Sequence, residues 1–170
     1  GDGMGTGLKR QVSIALDGTR TKYQMFKGSL SGKGQDNAEN IYQKEFGTKQ
    51  SNPKTYAETF RNNRAQYYVE LANRFYNTYR CVEKGEYIDP DEMISLDKDG
   101  IENMDALRSE VCRIPRKQNP NGLEQIMNKI EMKKLGIDSP NMSDSLMMAL
   151  FKPPIKKKRK ELNYGKSSVY

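Results

Sequence analysis

Residues 129–151 read KIEMKKLGIDSPNMSDSLMMALF, and this stretch carries most of what the chain says about its fold. Lys129 to Leu135 has the spacing of a short helix, and Gly136 closes it. Ser139-Pro140 then predicts a second helix start, with Ser139 as cap and Pro140 at the first helical position. That helix is expected to run to Phe151, and Pro153-Pro154 ends it. Asp144 sits early in this helix, beside Leu146, Met147, Met148, Ala149, Leu150 and Phe151. An acid against so apolar a stretch is costly unless it is paired or binds a cation. The plainer alternative is a first-turn acid favoured by the helix dipole.

Working backward, Asn121-Gly122 is a hairpin turn signal at the end of a polar segment from Pro115. Leu123 to Met127 is the expected returning strand. Met104 to Cys112 predicts a helix passing into a strand around Val111 to Pro115. Pro90 to Met93 predicts one short helical turn. Before it, Phe60, Arg64, Tyr67, Tyr68, Leu71, Ala72, Phe75, Tyr79 and Val82 step by three and four. This predicts a long amphipathic helix from Tyr56 to Glu83, with Thr55 or Thr59 capping its start and Gly85 stopping it. Its tyrosines share a phase with Leu71 and Phe75, so they are expected in the core rather than as base-stacking platforms. Residues 28–54 read as a long loop. Thr21 to Lys27 is a short strand candidate, and Leu8 to Leu16 a short helix.

Composition removes whole classes of chemistry. The 170 residues contain no histidine, which excludes serine and cysteine triads and histidine-ligated metal sites. Cys81 and Cys112 are too few for a disulfide framework or a four-cysteine zinc site. No run of eighteen apolar residues is present to span a membrane. Residues 152–170 hold seven cations and one acid, a net +6, which leaves +1 of the chain's total +7 to everything before them. The body is nearly neutral, and the basic character sits in the tail. Within it, Lys156, Lys157, Lys158, Arg159 and Lys160 fit a nucleic-acid contact or import pattern, and equally a solvated charge run. The tail, 153–170, is expected to be disordered, and 1–152 is expected to form the folded domain.

At the other end, Gly1-Asp2-Gly3-Met4-Gly5-Thr6-Gly7 places an acid among glycines ahead of a helix. A phosphate-binding loop is one reading, but the Walker pattern with its lysine is absent from the chain. A metal ligand at Asp2 is another, and a plain flexible loop a third.

Taken in order, these motifs resemble the C-terminal nuclease part of large terminase subunits of tailed bacteriophages. The resemblance runs through Asp2-Gly3-Met4-Gly5-Thr6-Gly7-Leu8, then Phe60 to Tyr68, then Ala106-Leu107-Arg108-Ser109-Glu110, then Lys129 to Pro140, and ends at Asp144. It spans about Asp2 to Pro153. It implies an α/β, RNase H-like fold, a mixed sheet flanked by helices. It further implies three acids that hold two divalent cations, Mg²⁺ or Mn²⁺, for DNA hydrolysis, a chemistry that needs no histidine. Asp2 and Asp144 match two of those acids, and Lys129 is a candidate DNA-phosphate contact. The first acid of the family pattern precedes the Asp2 block. On this reading the chain is truncated at its N-terminus, lacks the opening strands and the ATPase part, and folds and cuts poorly alone. Double-stranded DNA, the small terminase subunit and the portal protein are the partners the family implies, and the infected cell's cytoplasm is the implied location. A non-catalytic DNA- or portal-binding module, or another RNase H-like nuclease, remains an alternative.

Overall fold

The computed structural model describes residues 7–21, 25–42 and 52–151. In chain order these form α1 (Leu8–Ala15), a 3-10 turn (Gly32–Gly34), α2 (Tyr56–Thr59), α3 (Asn63–Lys84), a 3-10 turn (Pro90–Glu92), α4 (Met104–Cys112), β1 (Arg116–Gln118), β2 (Glu124–Ile126), α5 (Lys129–Lys134) and α6 (Asn141–Ala149). Of the expected mixed sheet, the described residues contain one two-stranded antiparallel hairpin, β1 with β2, in the register Lys117 opposite Gln125. The helix-rich remainder packs around α3. Its first half buries Ala65, Tyr67, Tyr68, Val69 and Leu71, together with Phe60, Ile126, Met132 and Met147. Contacts of α3 with β2 and α6, and of α4 with α6, build this core.

The long helix expected from Tyr56 is two helices. Thr55 caps α2 through a capping box with Glu58. The chain then breaks at Phe60, whose backbone turns extended and lies beside β2 in a parallel bridge to Glu124. The Arg61 N–H donates to the Glu124 carbonyl at 2.9 Å. Asn62 restarts the helix, its side chain accepting from the Ala65 N–H. Gly85 ends α3 at φ +65°, a conformation glycine adopts without strain.

The expected strand at 21–27 does not form among its described positions. Instead, the Gly28 and Leu30 carbonyls accept from the Arg64 and Asn63 N–H groups at 3.0 and 2.9 Å. That segment satisfies the orphan donors of the α3 start rather than a strand partner. The helical geometry of α4 persists through Cys112, so no strand occurs at Val111, and β1 falls at Arg116–Gln118, inside the expected polar turn. The hairpin turn itself is as expected. Asn119 Oδ1 accepts from the Asn121 and Leu123 N–H groups, and Gly122 adopts φ +74°. Helix α5 and its closure by Gly136, at φ +71°, also match. Helix α6 begins one residue later than expected. Pro140 occupies the cap position with ψ 65°, and Ser139 makes no capping bond. The Ser139 hydroxyl donates to Asn141 Oδ1 at 2.9 Å instead. Among the described residues, no helix is long and apolar enough to cross a membrane.

Candidate active site around Asp144

Asp144 is the focus of the charged groups in the core. It lies in the first turn of α6, with its N–H on the Pro140 carbonyl at 2.8 Å. Its side chain is only 15% exposed. Three elements send donors to it. From α3, Arg64 Nη2 and Nε approach Oδ1 at 3.3 and 3.4 Å. One turn further along α3, the Tyr68 hydroxyl donates to the same oxygen at 2.6 Å. From the start of α5, Lys129 Nζ lies 3.1 Å from Oδ2. The cost of burying this acid among methionines and leucines is thus met by pairing.

Each donor is itself held. Arg64 Nη1 donates to the Met127 carbonyl at 3.0 Å, just past β2, and the guanidinium lies over the Tyr68 ring at 5.1 Å. The i, i+4 spacing of Arg64 and Tyr68 puts both on one face of α3. Burial, followed by the hydrogen bond to Asp144, pushes the Tyr68 phenol well above its ordinary pKa, so it stays a proton donor. Ser143, fully buried, lies 3.1 Å from the Tyr68 oxygen, and its N–H donates to Glu110 Oε2 at 2.9 Å. Glu110 of α4 thereby caps the first turn of α6, the task the sequence assigns to Ser139. Lys129 is 52% exposed and also reaches Asn141 Oδ1 at 3.3 Å, so it is the loosest of the donors.

The structure therefore brings two of the sequence candidates, Lys129 and Asp144, into direct contact. Asp2, Lys156, Lys157, Lys158, Arg159 and Lys160 lie outside the described residues. Sequence reading misses Arg64, Tyr68 and Ser143 as members of this cluster. The available signal was Arg64 itself, a cation in phase with a buried apolar stripe, which calls for a buried acid. For a divalent cation, the Asp144 carboxylate is a hard oxygen donor of the right kind. Its Oδ2 is shielded by a single, half-exposed ammonium, so Asp144 fits as one ligand. Among the described residues, no group of three or more His, Cys, Asp or Glu side chains could hold a metal ion.

No protein-family model matches the chain, and no curated protein does. Solved structures do. The nuclease domain of the large terminase subunit gp2 of bacterial virus Sf6 aligns with a TM-score of 0.77 and 44% identity over 90% of this chain. A point mutant of that domain, solved with manganese and beta-thujaplicinol, aligns with a TM-score of 0.78 and 46% identity over 91% of this chain. Over nine-tenths of its length the chain is similar to the nuclease domain of a phage large terminase subunit. It spans 63% and 64% of the length of those two domains. Another structure of the mutant terminase domain contains calcium, at 44% identity and a TM-score of 0.76 over 90% of this chain and 63% of that one. Divalent cations thus accompany the mutant Sf6 domain in both of these structures. In the chain described here, the Asp144 carboxylate is held by two cations and a phenol.

Proposed function

We propose that the chain is part of a metal-dependent DNA endonuclease that cuts concatemeric phage DNA when genome packaging starts and finishes. The observation that carries this reading is 46% identity to a terminase nuclease domain across 91% of the chain. The mostly buried carboxylate of Asp144, held by Arg64, Tyr68 and Lys129, supports it. The fold is read as RNase H-like. Asp2 and Asp144 would hold two Mg²⁺ or Mn²⁺ ions together with an acid beyond these. When bound, such cations supply an activated water and neutralise charge developing on the phosphodiester. The chain's own residues orient and hold charge. Arg64 and Tyr68 fix Asp144. Lys129, freed from Oδ2, contacts a DNA phosphate, and Lys156, Lys157, Lys158, Arg159 and Lys160 add salt-sensitive contacts to double-stranded DNA. The small terminase subunit and the portal protein are the assembly partners on this reading, and the infected cell's cytoplasm is the site of action.

One observation favours a second reading, a non-catalytic DNA-binding module. Arg64 and Lys129 both converge on the Asp144 carboxylate, and the half-exposed Lys129 ammonium can meet a phosphate without any metal. Plasmid cleavage in Mn²⁺ separates the two. The polypeptide to assay is this chain joined to the part of the Sf6 domain it leaves unmatched, with Asp144→Asn alongside. Cleavage that disappears in the mutant supports the nuclease. A folded protein that cuts equally with and without Asp144, or not at all, supports the binding module.

A further inference from the structure

We propose that Tyr68 is a positioning residue that divides the labour between the two oxygens of Asp144, reserving Oδ2 for whatever the site binds. This rests on the reading of Asp144 as a cation ligand. The asymmetry is in the donor count. Oδ1 receives Arg64 Nε, Arg64 Nη2 and the Tyr68 hydroxyl, at 3.4, 3.3 and 2.6 Å. Oδ2 receives Lys129 Nζ, at 3.1 Å.

The two sides also differ in how easily they let go. Tyr68 is only 5% exposed, and its ring is covered by the Arg64 guanidinium, so the phenol has no room to swing away. Lys129 is a flexible, half-exposed ammonium that can be displaced without disturbing the core. Proton accounting sharpens the point. The phenol has one proton, and an ionised carboxylate only accepts, so that proton points at Asp144. The Ser143 hydroxyl has two acceptors in reach, the phenol oxygen at 3.1 Å and the Pro140 carbonyl at 3.3 Å, and toward the phenol it can only act as donor, so that donation there runs from Ser143 to Tyr68 to Asp144 Oδ1. Ser143 is in turn pinned by Glu110 through its N–H. The chain spans α4, α6 and α3 and ends on one oxygen. Groups that orient a metal-ligating carboxylate from behind typically change metal affinity about 10–100-fold when removed.

The test uses Tyr68→Phe in the joined polypeptide of the cleavage experiment. Two quantities are read besides thermal unfolding. The first is the ¹³C resonance of the Asp144 carboxyl carbon without metal, assigned by its absence in Asp144→Asn. The second is Mn²⁺ affinity by electron paramagnetic resonance. The expected result is a displaced carboxyl resonance and Mn²⁺ binding weakened about tenfold. An unmoved resonance overturns the proposal, because the phenol then does not hold the carboxylate. A displaced resonance with unchanged Mn²⁺ affinity overturns it too, leaving Tyr68 a packing contact. Absence of Mn²⁺ binding in the parent overturns the ligand reading of Asp144 itself, and the proposal with it. Should Tyr68→Phe fail to fold, Ser143→Ala removes the hydroxyl beside the phenol, together with its contact to the Pro140 carbonyl, and leaves the Tyr68–Asp144 bond itself in place. It is expected to weaken Mn²⁺ binding by a smaller factor in the same direction, and unaltered binding there counts against the proposal.

Discussion

The two halves of α3 share one sequence pattern and have different fates. From Asn63 to Leu71 the helix is sunk in the core, covered by β2 on one side and α6 on the other. From Ala72 onward the same three-and-four spacing continues, yet Tyr79 is 49% exposed and Val82 71% exposed. Tyr76 and Tyr79 stack on each other with centroids 5.9 Å apart, and Lys84 lies over the Tyr79 ring. Beyond Phe75, which packs against the core, what holds the far half is polar. Arg74 donates to the Asp91 and Met93 carbonyls, and buried Asn77 donates to the Glu92 carbonyl at 3.1 Å. Thr78 Oγ1 donates to the Ile94 carbonyl at 2.7 Å. Periodicity therefore states which way a helix faces, while tertiary cover decides whether that face is buried. The candidate site lies wholly at the covered end.

The comparison breaks most sharply at Leu71, where cover is complete. Leu71→Ala should cost about 2–5 kcal/mol, because a well-packed site collapses only partly around the cavity. Urea unfolding measures it, as a lower midpoint with an unchanged slope. A loss under about 1 kcal/mol would mean that the first half is not the anchored one. Arg64→Met comes next. It removes the donor joining α3 to the Met127 carbonyl and leaves the Asp144 carboxylate with Lys129 and Tyr68. About 1–3 kcal/mol of destabilisation is expected, from the partly buried groups left short of a partner. Equal stability in the same titration would show that the charge cluster serves the ligand alone.

The sequence made the first half of α3 readable and hid its beginning. Phe60 and Arg64 keep the i, i+4 phase across a break, so no local signal separates α2 from α3. The break is imposed by Glu124, more than sixty residues later, whose carbonyl takes the Arg61 N–H. The hairpin turn was legible because Asn121-Gly122 carries its own chemistry. Strand β1 was not, because Arg116, Lys117 and Gln118 have no apolar alternation. Within the site, Asp144 stood out as an acid in an apolar helix. Tyr68 did not, since a buried tyrosine reads as core until the partner of its hydroxyl is known. Glu110 stood out only as part of a motif and Ser143 not at all, because their roles exist only once α4 and α6 pack together. The tyrosine stripe was half right: Tyr67 and Tyr68 are core, whereas Tyr79 is not.

The far half of α3 offers the smaller effects. Asn77→Ala unpairs the Glu92 carbonyl and removes an acceptor from Arg80, so about 1 kcal/mol should be lost. The loss should be local as well as global. Amide exchange in residues 89–94 should speed up, while the amides of residues 65–71 keep their protection. Uniform acceleration along the whole helix would mean that both halves unfold as one unit and that the division by cover has no energetic counterpart.

Val82→Ser is expected to do least, within about 0.5 kcal/mol of the parent in urea, since its side chain already faces solvent. The value of so small an effect lies in its contrast with Leu71, eleven positions earlier on the same helix. If the exposed stripe were covered in the working protein, by another segment or another chain, Val82→Ser would cost far more there than in this chain alone. Repeating the titration in the polypeptide joined to the unmatched part of the Sf6 domain puts that to the test. A cost that stays within about 0.5 kcal/mol keeps the far end of α3 a solvent-facing projection. A cost that rises toward the 2 kcal/mol or so of a large-to-small core change would assign the stripe to an interface, and the two ends of the helix would then differ only in which piece of protein covers them.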